Sequence, residues 1–224
     1  MSDDSFIRQV DEDLRSDRMK SIWKRYGRYI IGIAVLLVLG TAVDRGYNYW
    51  RQSQASQSGG AFLAALNLAR EGRQDEALAA LRALEQDGYG AYAVLARMRA
   101  ATVLADQGDY QAAISDFSVI GNDSGVPAAI RDVARLRAGY LLVDHGNYDD
   151  VSAQVEGLSG PDNAMRHSAR EALGLAAWKA GDIATAQRWF EMIAGDNGVP
   201  GGILQRSEIM LDLIAASGKA TQAS

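Results

Sequence analysis

The sequence predicts an all-α protein: one N-terminal membrane-spanning helix, then a solenoid of about four helix pairs closed by a capping helix. Three observations carry this reading. A glycine-centred phrase returns four times, a charge-free apolar stretch lies near the N-terminus, and only three prolines occur in 224 residues rich in alanine, leucine and glycine.

The repeated phrase reads Gly72-Arg-Gln-Asp-Glu-Ala-Leu, Gly108-Asp-Tyr-Gln-Ala-Ala-Ile, Gly146-Asn-Tyr-Asp-Asp-Val-Ser and Gly181-Asp-Ile-Ala-Thr-Ala-Gln. Its periods of 36, 38 and 35 residues fall in the range of helix-turn-helix repeats. Each glycine ends one run of helix formers and precedes another, where a left-handed cap lets the chain turn back. First helices are expected near 61–71, 91–107, 128–145 and 163–180, and second helices near 74–86, 110–120, 148–158 and 183–194. A ninth helix near 202–217 has no clear partner, as befits a cap on a stacked array. The loops echo one another too. Asp123-Ser-Gly-Val-Pro and Asp196-Asn-Gly-Val-Pro lie 73 residues apart, two repeat lengths, and each proline suits the first turn of the next helix.

The apolar stretch runs from Ile30 to Val43 without a charge. Trp23, Tyr26 and Tyr29 flank it on one side and Tyr47, Tyr49 and Trp50 on the other, as interfacial aromatic belts do. From Tyr26 to Val43 a helix is about 27 Å long, enough for a bilayer with slight adjustment. A buried core helix has no use for paired belts, and an interfacial helix needs a polar face that is missing here. A cleaved signal peptide ending near Gly40-Thr41-Ala42 has a shorter leading region than this one. An uncleaved signal anchor fits best. Six Lys/Arg between Arg15 and Arg28 precede the span, so the positive-inside rule places the N-terminus in the cytoplasm and the repeats outside it.

The expected layout is therefore a cytoplasmic stub (1–25), a transmembrane anchor (26–46), a linker (47–60), a repeat domain outside the cytoplasm (61–218), which the resemblance given below makes periplasmic, and a polar tail (219–224). Phe6, Ile7, Val10 and Leu14 are spaced for one weak amphipathic helix in the stub. Gln52 to Gly60 reads either as a flexible spacer or as the end of a continued helix.

Composition excludes several classes of function. The net charge of −5 lacks the basic stripe of a nucleic-acid binder. With no cysteine there is no disulfide, thiolate metal site or cysteine nucleophile. His145 and His167 have no companion at ligand spacing, and His145 suits the end of a helix, where a cation complements the dipole. Gly195–Gly202 lacks the strand and the Lys-Ser/Thr of a phosphate loop. Asp149-Asp150 opens a helix, where acids are favourable. Gly32 and Gly40 miss the four-residue spacing of a helix-packing motif. No cofactor, metal, small-molecule substrate or enzymatic activity is expected.

The units resemble the tetratricopeptide repeat. Ala77, Ala113 and Ala186 stand at that family's small position in the second helix, each followed four residues on by Leu81, Phe117 or Phe190. Gly139 and Gly174 match its small position inside the first helix. Val151 and Val155 depart from the pattern in the third unit, and Arg97, Arg135 and Arg170 replace its early tryptophan. The whole layout, with its Asp-Ser-Phe-Ile … Asp-Arg … Lys-Arg-Tyr-Gly start, resembles the YfgM-type family, ancillary subunits of the bacterial SecYEG translocon in the inner membrane.

The resemblance implies a groove lined by first helices. Carried onto this sequence it points to Phe62, Leu66, Leu95, Met98, Thr102, Leu136, Tyr140, Glu171, Leu175 and Trp178. Several of the leucines equally suit packing of repeat on repeat. The arginines suit pairing with neighbouring acids, more than reading a partner. The resemblance further implies a protein-binding module that works beside the SecYEG translocon and hands exported polypeptides to periplasmic chaperones. Two alternatives stay open: a scaffold for another envelope complex, or a regulator acting through its cytoplasmic N-terminus.

Overall fold

The computed structural model describes residues 3–217, with side chains from Trp23 onward except at 30 and 34. The side-chain pattern expected for the stub and the tail 219–224 lie outside the described residues. The chain divides into two units, Met1–Ser56 and Gln57–Ser224.

Helix α1 (Asp3–Arg70) supplies the first unit. Ile33, Leu36, Leu37, Val38 and Val43 are exposed along it. It is long and apolar enough to cross a membrane by length and composition. Arg25 lies over the Tyr26 ring and Arg28 over the Tyr29 ring, while Tyr47 stacks on Trp50. The segment Gln52–Gly60 is helical and continues α1, so no loose spacer stands there.

In the second unit, residues 57–70 of α1 pair with α2 (Gln74–Asp87). Then follow α3 (Ala91–Asp106) with α4 (Tyr110–Asn122), and α5 (Ala128–His145) with α6 (Tyr148–Val155), which a 3₁₀ turn over Glu156–Leu158 extends. Next come α7 (Arg166–Ala180) with α8 (Ile183–Ala194), and last α9 (Gly201–Ala216). From α2 on, each helix packs on the next in chain order, and α5 on α7 and α7 on α9 join alternate members. The expected helices are all present. The main shift is at α7, which starts three residues later than expected because Asn163 caps a turn before it, its Oδ1 accepting from the Met165 N–H at 2.7 Å.

Three of the four phrase glycines turn the chain in the left-handed region: Gly72, Gly108 and Gly181, with φ of 78°, 85° and 79°. The next N–H reaches back to a carbonyl five residues earlier in each: Arg73 to Leu68, Asp109 to Leu104 and Asp182 to Ala177. Gly146 corrects the expectation. Its φ is −132°, outside the left-handed region, and the space beside it is tight. An added Cβ would meet Leu142 Cδ2 at 2.8 Å and Asp150 Oδ2 at 3.1 Å. The residue after three of these glycines caps the second helix. Asp109 accepts from the Ala112 N–H, Asp182 from the Thr185 N–H, and Asn147 forms a capping box with Asp150.

The tetratricopeptide positions form the cores. Ala77, Ala113, Ala186, Leu81, Phe117 and Phe190 are buried, as are Val151 and Val155 in the departing third unit. Gly139 lies against Val155, and a Cβ on Gly174 would stand 2.8 Å from the Phe190 ring.

The echoed loops have a shared anchor. The Arg97 guanidinium donates to Asp123 at 2.7 Å and that of Arg170 to Asp196 at 2.6 Å, both across 26 residues. Arg170 also donates to the Ser159 and Met192 carbonyls, and Arg166 donates to Asp196 at 2.9 Å. Nε2 of buried His167 lies 3.2 Å from the same carboxylate without hydrogen-bond geometry. Arg135 instead donates to Asn122 at 3.4 Å, at the C-terminal end of α4. The arginines thus hold loops within the array. Hydrogen bonds from Arg166 above all, and then from Arg170, hold the Asp196 carboxyl well below its usual range.

Two outcomes follow for stability. Gly174→Ala forces the buried Phe190 ring to move, at about 1–3 kcal/mol for overpacking, against a helix-propensity gain of up to about 1 kcal/mol. A net loss is expected in urea unfolding followed by circular dichroism. Because the folded state depresses Asp196, its ionised form stabilises the fold above the usual carboxylate range, and that contribution fades as the pH falls below that range toward the depressed value. Asp196→Asn should therefore lower the melting temperature most near neutrality, with the gap to the unsubstituted protein closing below about pH 4.

Candidate functional site

Two cavities open along the first helices of the second unit. One, of about 590 Å³, lies between α3 and α5, lined by Thr102, Asp106, Leu136, Arg137, Tyr140 and Met165 among others. Arg137 extends over the Phe117 ring on its floor, 6.0 Å from the centroid. The other, of about 350 Å³, lies where α5, α7 and α9 meet, lined mainly by Tyr140, Glu171, Leu175, Arg206, Ile209 and Met210. Tyr140 borders both. Thr102 lies on α3 and Tyr140 on α5, helices capped at their N-termini by Gly90 and Pro127. The Thr102 hydroxyl is satisfied by donating to the Met98 carbonyl at 3.0 Å.

The polar centre of the site is Glu171, only 2% exposed. A carboxylate this buried requires donors. Arg206 of α9 gives two, Nε to Oε1 at 2.6 Å and a terminal nitrogen to Oε2 at 3.0 Å, and the Tyr140 hydroxyl donates to Oε2 at 2.8 Å. Burial, and then the bond to Glu171, push the Tyr140 phenol above its usual range, so it is a neutral donor. The network ties α5, α7 and α9 together and leaves the remaining walls apolar. Such a surface can hold apolar side chains from a protein segment; it presents no nucleophile and base pair.

The other expected groove residues divide. Leu175 lines the second cavity and packs near Trp178, but Trp178 reaches neither cavity; it joins the core of Ala177, Phe190, Ile193 and Ile214. Met98 packs on the core around Phe117 and Ala134. Leu95 is exposed on α3. Phe62 tilts against Tyr92, centroids 6.1 Å apart, on the core between α1, α2 and α3, and Leu66 is half-buried nearby in sequence. Neither of the last two reaches the cavities. Arg206, Ile209 and Met210 of α9 were not expected. The repeat spacing of 35 residues that links Glu171 to Arg206 also links Leu175 to Met210, and extending it to α9 would have found them. Among the described residues no three His, Cys, Asp or Glu side chains gather as a metal site requires.

Removing the arginine leaves a buried carboxylate with one donor. Arg206→Ala should cost about 1–3 kcal/mol in urea unfolding, and adding Glu171→Gln should restore part of it.

The profile of a family described as the tetratricopeptide repeat-like domain matches residues 20–198. No curated protein matches the sequence.

Proposed function

The chain belongs to the tetratricopeptide repeat-like domain family, and from that premise we propose that it is a membrane-anchored protein-interaction module of the bacterial inner membrane. Its repeat unit faces the periplasm and its N-terminus the cytoplasm. The observation that carries the reading is the pair of apolar cavities sharing Tyr140 along the first helices. A helix or an extended segment with apolar side chains three or four residues apart matches such a groove.

Anchoring rests on α1. Its apolar surface is exposed, and arginine–aromatic pairs stand before it at Arg25/Tyr26 and Arg28/Tyr29, with the Tyr47/Trp50 stack beyond. That is the distribution of an interfacial belt. The matched stretch also begins before the apolar segment and runs on through the repeats. The excess of Lys/Arg ahead of the span supports the orientation.

The partners proposed are the SecYEG translocon, exported polypeptides and periplasmic chaperones, on the YfgM-type layout of the sequence. The anchor would keep the groove at high local concentration beside emerging chains. Leu136 and Tyr140 line the groove, Leu175 and the Glu171–Arg206 pair close its far end, and the protein performs no chemistry on what it holds.

In-cell crosslinking of the full-length protein, gentle detergent extraction and mass spectrometry test this. Translocon subunits and periplasmic folding factors are expected. Another envelope complex would make the protein a scaffold, and cytoplasmic partners alone would reverse the orientation. Tyr140→Ala should cut recovery of the partners about tenfold, equivalent to about 1.4 kcal/mol of binding, with the helical circular dichroism kept.

A further inference from the structure

Helix α9 is the last first-type helix among the described residues. In the two units before it, this kind of helix is covered by its own second helix, Gly139 beneath Val155 and Gly174 beneath Phe190. One repeat further on, α9 has Ile209 where α7 has Gly174, and Leu213 where α7 has Trp178. No described residue covers that outer face. Ile209 is 51% exposed and Leu213 49%, one helical turn apart.

Two carboxylates stand beside the pair. Glu208 and Asp212 are both exposed and enter no ion pair among the described residues. The cation nearest in the helix, Arg206, is already engaged by Glu171. The face is therefore apolar at its centre and acidic at its edge.

Its chemistry narrows the occupant. Glycine allows a second helix to approach closely, and the isoleucine at this position forbids that seat, so a covering helix must pack side chain on side chain. Residues 218–224, Gly-Lys-Ala-Thr-Gln-Ala-Ser, contain no large apolar side chain to cover the pair. A second copy would bring a second acidic edge to the contact, and like charges gathered at an interface disfavour a partner. A cationic helix meets both demands. We propose that the outer face of α9, with Ile209 and Leu213 beside the acidic edge of Glu208 and Asp212, docks an amphipathic helix of another protein whose apolar residues are bordered by Lys or Arg. The face adjoins the groove, since Ile209 also lines the second cavity, and the proposal stands whether or not the translocon is the partner.

A photocrosslinking residue at Gln205 or Ala216, both exposed and flanking the apolar pair, tests it in the full-length protein in its native membrane. The crosslinked segment is mapped by mass spectrometry. The expected adduct lies on a different protein, in a segment with apolar residues at helical spacing and Lys/Arg beside them. Its yield should fall about tenfold in Glu208→Lys/Asp212→Lys and again in Ile209→Ser/Leu213→Ser, with unchanged circular dichroism, and should persist in Tyr140→Ala. An adduct to α9 of a second copy, to residues 218–224, to lipid or to an acidic segment overturns the proposal. So does the absence of any adduct, or a yield indifferent to charge reversal.

Discussion

The second unit depends on how closely the two helices of each pair can approach. Where α5 crosses α6 and α7 crosses α8, the first helix has no Cβ at the contact, and Val155 and Phe190 fill the space. In α2 and α4 a buried alanine does the same with slightly less room: Ala77 and Ala113 are fully buried, as is Ala186 of α8. Close pairs leave a narrow ridge of first helices, and stacking those ridges produces the groove. Dispersion and burial of apolar area supply most of the stabilisation, because each pair forms a dry core of Ala, Leu, Ile, Val and Phe. The polar contacts set where the pairs stop and turn.

Those polar contacts are mostly ties between elements distant in sequence. Lys179 donates to the Val143 and Asp144 carbonyls, placing a cation at the C-terminal end of α5 from the unit that follows. Arg82 of α2 bonds Asp116 of α4, and the Gln107 amide donates to Asp75. Surface pairs of this kind contribute little each, commonly under about 1 kcal/mol. Glu171 differs, because it is shut away from water and needs every donor it has.

Much of the fold was legible in the sequence because helix periodicity and glycine punctuation are local signals. The ends of α2 to α6 fall close to where composition alone puts them. Gly146 misled because a glycine in a tight space looks the same in sequence as one in a left-handed turn. The echo between Asp123 and Asp196 was visible, but its cause was not: the arginines responsible lie 26 residues upstream, and nothing local marks them as partners. The site was legible only in part. Thr102, Leu136, Tyr140, Glu171 and Leu175 do line cavities, whereas Phe62, Leu66, Leu95, Met98 and Trp178 face cores or solvent away from them. First-helix positions sit at the boundary between groove and core, and a rotation of some 20° about the helix axis, less than a quarter of one residue's 100° step, moves a side chain from one to the other. Arg206 escaped because α9 reads as an orphan until its spacing from α7 is noticed.

The arginine–aspartate tie has a consequence for how such an array can grow. In two units, donor and acceptor are 26 residues apart, which is shorter than the repeat itself. Each tie therefore lies wholly inside one unit's length of chain. A duplication whose copied period runs from before the arginine to past the aspartate carries a complete tie with it, and needs no matching change in its neighbours. Lineages can lengthen or shorten the array by such periods and keep those loops fastened.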